Sequence, residues 1–526
     1  MDIKRIGIAT IAITMLLVYF VSSHYIYDAF NKNLSNMDGR TLYVGGSGPN
    51  NYTSIQVAIN HARPGDRIFI YDDSSPYHES LKIRKNNISL IGENRDTTII
   101  KSRDEEAICV YGDNIKIYNL TIEGYGYDIF NKYGNNLFVL NCYLPSCSFF
   151  GSLNNSIISS TIKCIKVQAS YNNIINCNIS KLLLINGEYN NIINNTFTEG
   201  IEIEGKKKEN WIHTIKNNTL QKKPIIYYKD KSDILIQHYD IGELILAGSH
   251  NISICDTKIL TAIAGYCGNL NFCEVNSSSI KFYYSSNSFV DGACLKYIRL
   301  YGSENITIEG LKNGSISLIE SHYNFIHNCD FIKAYIYEGK RNQFLKCKFG
   351  KKGIENAIEL SHGLYNNFSY CSILDSNCGA YVSSSHIDFY RCNFSNNNVA
   401  LDLDSGGHNR IIENNFFYNK GAIKIEETGN NIIRRNLFMK NGIGVSVEVF
   451  YDTGSNEINY NNFIKNEIHA KIYFLDKAIL YNNWNRNYWD NWPAYMPKPI
   501  LSQEYLFGTY FISWLNIDWH PLPPPS

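Results

Sequence analysis

Asn409-Arg-Ile411-Ile412-Glu-Asn414-Asn-Phe416 and Asn431-Ile432-Ile433-Arg-Arg-Asn436-Leu-Phe438 are two copies of one unit, set 22 residues apart. Each has a leading Asn, an apolar pair, a second Asn and then a Phe. Between them run Gly421-Ala-Ile423-Lys-Ile425-Glu426 and a turn at Gly429-Asn430. Nothing inside the period has helical spacing, and short β-rich runs are broken by Asn and Gly. A period of this length predicts a solenoid.

The unit can be followed in both directions. Downstream it reads Asn456…Asn461-Asn-Phe463. Upstream it reads Asn324…Cys329-Asp-Phe331, Asn342…Cys347-Lys-Phe349, Asn366…Cys371-Ser-Ile373 and Ile387…Cys392-Asn-Phe394, and earlier Asn172…Cys177-Asn-Ile179 and Asn190…Asn195-Thr-Phe197. Its length drifts, as it does when strands are fixed and turns vary. The expected fold is all-β: a single-stranded right-handed parallel β-helix, each repeat one coil, stacked at about 4.8 Å. Phe and Ile would pile into a dry inner column, and the second Asn would form an amide ladder.

Each coil of a solenoid contacts only its neighbours, so 526 residues fit one continuous core. The 44% hydrophobic content excludes a disordered chain. With 49 basic and 49 acidic residues there is no net field for nucleic acid, and no nucleic-acid partner is expected. The 39 tyrosines suit sugar stacking on a long β-face, although strand propensity accounts for most of them.

In chain order, residues 1–26 read as a signal peptide or signal anchor. Lys4-Arg5 precede an apolar run from Ile6 to Val21, short for a span unless Ser22 to Ile26 extend it. Small residues at Val21-Ser-Ser23 would allow cleavage; the uncleaved anchor is the preferred reading. Residues 27–40 form a polar linker. Residues 41–66 hold a strand and a capping helix: apolar residues at 55, 58, 59 and 62 have helical spacing, Thr53 and Gln56 make a capping box, and Arg63-Pro64-Gly65 stops it. Such a helix would cover the open end of the first coil. The β-helix spans 67–480, its repeats degraded between about 225 and 320. Residues 481–526 form a C-terminal cap, with Trp484, Trp489, Trp492, Trp514 and Trp519 over the last coil and a Pro-rich tail.

Leu42-Tyr-Val-Gly-Gly-Ser-Gly-Pro49, Tyr52-Thr-Ser-Ile-Gln-Val-Ala-Ile59, Gly65-Asp-Arg-Ile-Phe-Ile70 and Ile88-Ser-Leu-Ile-Gly-Glu-Asn94 resemble the opening of NosD-like right-handed parallel β-helix proteins. These are repeat proteins of the carbohydrate-binding and sugar-hydrolase (CASH) type, abundant as archaeal surface proteins. The Asn-Asn-Ile-Ile repeats and the tail Asn487-Tyr-Trp-Asp-Asn-Trp-Pro493 are similar too. The resemblance covers nearly all of the chain after residue 40 and implies the fold more than an activity. Its copper-maturation connotation needs a copper site, and no Cys-x-x-Cys or His-x-His pair stands in the sequence.

Counting from the inner Phe or Ile gives the outward columns. One predicted column holds Glu359, Ser383, Asp404, Glu426 and Glu448; its neighbour on the same face holds Ala357, Tyr381, Asp402, Lys424 and Ser446. Asp402, Asp404, Glu426 and Glu448 are the candidate catalytic residues, with Tyr381 and Lys424 as substrate-binding candidates. Crowded carboxylates raise at least one pKa, which general acid catalysis requires, and their spacing suits glycosidase geometry. Asp402, Asp404 and Glu426 could instead hold calcium through oxygen ligands. A solvated strand face that merely keeps the sheet soluble accounts for the same pattern.

Fourteen cysteines in an exported chain suggest disulfides. Cys177, Cys329, Cys347, Cys371 and Cys392 nevertheless sit in the Asn-ladder slot, where small buried thiols fit; inter-coil disulfides and soft-metal binding are the alternatives. His250, His322, His386 and His408 recur at turn entries. Sequons at Asn33, Asn51, Asn87 and Asn305 are candidate glycan sites.

The expected function is a non-catalytic, monomeric β-helix at the cell surface, anchored by its N-terminal segment and binding envelope polysaccharide or glycoprotein without a cofactor. A polysaccharide lyase or glycoside hydrolase using the acidic column is one alternative. A copper-handling accessory protein is a second.

Overall fold

The computed structural model describes residues 39–291, 294–449, 455–475, 482–506, 509–513 and 516–524. The expected signal segment, Trp514 and the end of the Pro-rich tail lie outside them. Among the described residues, no helix is long and apolar enough to cross a membrane. The chain divides into two units, Met1–Glu204 and Gly205–Ser526, each a stack of parallel β-coils.

In the first unit one wall is built from Thr41–Val44, Arg67–Ile70, Ser89–Gly92, Lys116–Tyr118, Phe138–Leu140, Ser156–Ile158, Asn173–Ile175 and Asn191–Ile193, each parallel to the next. The only α-helix among the described residues, Ile55–His61, buries Ile55, Ala58 and Ile59. Its cap differs from the expected box. Ser54 is the N-cap, accepting from Val57 N at 3.3 Å. Glu79 then reaches across from another segment to accept from Ile55 N and Gln56 N at 2.7 and 2.9 Å. A carboxylate at a helix N-terminus satisfies free N–H groups and meets the positive end of the dipole.

In the second unit the inner file exists as the repeat requires. Phe394, Phe416, Phe438 and Phe463 are fully buried, with ring centroids 4.8, 4.9 and 4.8 Å apart and nearly parallel planes. Trp489 continues the file at 4.3 Å. Coiling therefore runs past residue 480, where the β-helix was expected to end: Trp484 stands opposite Ile458 and Trp489 opposite Phe463, in parallel register. Trp484 and Trp489 are buried in this continuation, whereas Trp519 is 61% exposed.

The amide ladder is triple. Asn414, Asn436, Asn461 and Asn487 hand one hydrogen bond up the stack, Nδ2 to Oδ1, at 3.1, 3.0 and 3.1 Å. Asn431, Asn456 and Asn482 do the same at 2.9 and 3.0 Å. So do Asn397, Asn419, Asn441 and Asn466, a file not anticipated from the repeat. Each Oδ1 also accepts a backbone N–H of the coil below, as from Asn414 N to Asn436 at 2.9 Å. Turn backbone that would otherwise be buried unpaired is satisfied this way. Where the repeat looked degraded, Ser takes the slot: Cys267, Ser285 and Ser303 donate their N–H to Ser285, Ser303 and Ser321 Oγ, each at 3.1 Å. Asp518 closes one ladder, its Oδ2 accepting from Asn487 N, Asn487 Nδ2 and Trp489 Nε1 at 3.0 to 3.1 Å.

Residues that precede ladder positions are left-handed: Glu413, Arg435 and Tyr460 have φ near 57°, as do Tyr418 and Lys440. Each coil thereby turns corners at which one side chain points inward to the ladder and its predecessor sits on the outer rim.

Candidate functional site

The site candidates come from strands Asn356–Leu364, Cys378–Ser385, Val399–Gly407, Gly421–Glu426, Ile443–Val449 and Ile468–Leu475, consecutive rungs of one outer wall. Alternation sends Leu401, Leu403, Ile423 and Ile425 into the core and leaves the residues between them on the outside. Glu359, Tyr381, Asp402, Lys424, Ser446 and Lys471 stand rung over rung. Beside them Glu426, Glu448 and Tyr473 form a second column.

Three expected positions are corrected. Asp404 does not stand between Ser383 and Glu426, because Val382 pairs with Leu403 but Ser383 pairs with Ser405. Asp404 is the extra residue of a β-bulge, and bulges re-aim a side chain. Its carboxylate accepts a hydrogen bond from the Tyr381 hydroxyl one coil away. Glu359 stands opposite Tyr381 rather than Ser383, and Ala357 is buried. The turn after Phe349, with left-handed Gly350 and Gly353, carries extra residues that shift the count.

The six candidates nevertheless form one network. Lys424 Nζ is ion-paired to Glu426 and lies 3.6 Å from Glu448 Oε2. Asp402 faces both: burial first, then the charge of Glu426, lifts its pKa to about 6, with Lys424 opposing. Its Oδ1 is enclosed and has no hydrogen-bond partner. Burial also raises the Glu448 carboxyl, Lys424 again opposing and Glu426 reinforcing. The Tyr381 hydroxyl is held protonated first by its bond to Asp404 and then by burial. Lys424 stays firmly cationic: burial works against its charge, but Glu426, Glu448 and Asp402 outweigh it.

Counting in sequence missed two extensions of this wall. Lys333 pairs with Glu359 at 2.7 Å, and Lys471 lies 4.3 Å from the Tyr473 ring. A constant step cannot find them, since Lys471 falls 25 residues after Ser446 rather than 22. Among the described residues, no three His, Cys, Asp or Glu side chains come together as ligands for a metal ion. All thirteen described cysteines are free, and Cys329, Cys347, Cys371 and Cys392 are buried in ladder positions. Their Sγ atoms donate to main-chain oxygens, as Cys392 does to Phe368 O at 3.3 Å. The inter-coil disulfides held open from sequence are not formed.

Comparison with known proteins follows the fold. Residues 351–491 match the family model described as "Right handed beta helix region". That segment carries the whole acidic network. No curated protein matches the chain. Among solved structures, one titled "Structure of PL6 family alginate lyase AlyGC" is similar at 10% identity, covering 85% of this chain and 96% of that one, with a TM-score of 0.21. A likeness of that size carries no argument about activity.

Proposed function

We propose that this protein is a cell-surface β-helix, held at the membrane by its N-terminal apolar segment, whose outer wall binds polysaccharide or glycoprotein glycans of the envelope. The observation that supports it is the wall itself: Tyr381, Asp402, Lys424, Glu426, Glu448 and Tyr473 offer hydroxyl, carboxylate and ammonium groups on successive rungs. A ligand lying along the wall meets a polar or charged group at every step of about 4.8 Å. Lys424 is paired with Glu426 and Tyr381 with Asp404, so these groups hold fixed positions, and such preorganisation reduces the entropy lost on binding. Glycan arrays probed with wild type and Tyr381→Ala test this. The expected result is selective binding that weakens about tenfold or more in the variant; no binding to any glycan refutes it.

A second reading is favoured by Asp402. A carboxyl with an unpartnered oxygen, titrating near 6 between a lysine and other carboxylates, is suited to general acid–base work on a glycosidic bond or a sugar ring proton. In that reading Asp402 moves the proton, Lys424 neutralises developing negative charge, and Tyr381 with Asp404 positions the ring. Release of reducing ends or unsaturated sugars from array-positive glycans, abolished in Asp402→Asn, is the expected signature. Retained binding without release by wild type eliminates it.

A further inference from the structure

Around the corner from the acidic wall lies a cleft of about 620 Å³ with a different chemistry. Its rim is the file of left-handed residues that precede ladder positions: Tyr323, Arg341, Tyr365, His386 and His408, all with φ between 55° and 59°. Their side chains stack along the coil axis. The Arg341 guanidinium lies between two rings, 5.6 Å from Tyr323 and 5.7 Å from Tyr365. Tyr365 and His386 centroids are 4.7 Å apart, and the imidazoles of His386 and His408 stack at 5.0 Å and 16°. The floor is the next strand, where Gln343, Asn367, Asp388 and Arg410 stand in register.

The charge balance here opposes that of the wall. Arg341 is exposed, its one side-chain hydrogen bond going to the Tyr323 hydroxyl at 3.0 Å, and among the described residues it makes no ion pair. Arg410 meets Asp388 at 3.5 Å, a long contact for a charged pair. His386 lines the cleft, and its Nδ1 is buried without a hydrogen-bond partner. Two guanidinium groups against one carboxylate, with free planar donors and aromatic faces, fit an anion attached to a flat, hydroxyl-rich body. Guanidinium binds carboxylate through two parallel N–H groups, and ring faces cover the apolar side of a sugar. On the wall, by contrast, Glu359, Asp402, Asp404, Glu426 and Glu448 outnumber Lys333, Lys424 and Lys471 and would repel the same ligand.

We infer that this cleft is a second binding site, for an acidic glycan whose carboxylate sits on Arg341 and Arg410 while its rings lie against Tyr323, Tyr365 and the stacked imidazoles. This rests on the glycan-binding reading above and adds a substrate class and a separate location. The test is calorimetry on the full chain with an oligouronide and with the same oligosaccharide after its carboxyl groups are reduced to alcohols. Wild type should bind the oligouronide at least about tenfold more tightly than the reduced chain. Arg341→Ala should remove that preference, a loss of about tenfold for one charged hydrogen-bonding group. Tyr365→Ala should weaken both ligands, and Arg435→Ala, at another corner of the coil, should change neither. Equal affinity of wild type for the two ligands overturns the inference, as does an undiminished preference in a folded Arg341→Ala. If neutral glycans bind and weaken with Tyr381→Ala while oligouronides do not bind, the cleft proposal alone fails. If no glycan of either kind binds, the broader reading fails with it.

Discussion

At the scale of a residue, the asparagines carry the most stabilisation per side chain. Asn436 Oδ1 takes both Asn414 N and Asn414 Nδ2, while its own Nδ2 donates to Ile411 O at 2.8 Å and to Asn461 at 3.0 Å. Alanine there leaves the buried Asn414 N–H without a partner, at about 1–3 kcal/mol, and removes the amide's further bonds to Asn414 Nδ2, Ile411 O and Asn461. Asn436→Ala should therefore lose roughly 2–5 kcal/mol by urea denaturation. Asn415→Ala, which removes only one rim contact to Asn393, should stay within about 0.5 kcal/mol of wild type. Asp402 gives a second prediction at this scale. Its folded pKa, about 6, lies above the ordinary 3.8 because burial and neighbouring carboxylates disfavour its charge. The folded chain thus binds more protons than the unfolded one between those values, and the sign is a loss of stability as pH rises through that window. Solvent screening of a partly exposed group reduces the effect to about 1 kcal/mol. Wild type should fall by that amount relative to Asp402→Asn between pH 4 and 7 in parallel denaturation series; an opposite slope refutes the assignment.

At the scale of an element, the files inside the coil have different reactivity from those on its rim. Burial pushes the Cys142 and Cys177 thiols up to about 12, which leaves almost no thiolate at neutral pH. Cys329, Cys347, Cys371 and Cys392 are likewise buried, whereas Cys255 and Cys273, opposite one another on an outer column, are half-buried. Alkylation of the native protein followed by peptide mass mapping should modify Cys255 and Cys273 and spare the four ladder cysteines until denaturant is added. Labelling of the ladder file under native conditions would contradict the packing. The bulge at Asp404 belongs to this scale as well. One inserted residue gives Tyr381 a carboxylate partner that a regular ladder would have placed elsewhere.

At the scale of the whole molecule, what could be read from the chain follows from which interactions are periodic. The Phe394–Phe438 file and the Asn414–Asn436 ladder repeat because each coil must present the same donor, acceptor and ring to the next. A 22-residue step therefore placed them correctly. The candidate wall was only partly legible. Asp402 with Lys424, and Glu426 with Glu448, kept the step, while Asp404 and Glu359 were displaced by a bulge and a longer turn. Bulges and turn lengths are local adjustments whose cost is absorbed by surrounding pairs, so no repeat announces them. The Arg341 cleft was invisible for another reason. His386 and His408 stood out at turn entries, but only the left-handed corner geometry shows that Tyr323, Arg341 and Tyr365 share their file.

Asp518 gives this architecture a full stop. An amide both receives and gives, so every Asn in the file passes on an open invitation to whatever lies above it. A carboxylate only receives. By placing one over Asn487 and Trp489, the sequence ends the relay with a group that has nothing left to offer, so a second molecule arriving at that face finds no dangling donor in that file from which to continue the stack into a fibre.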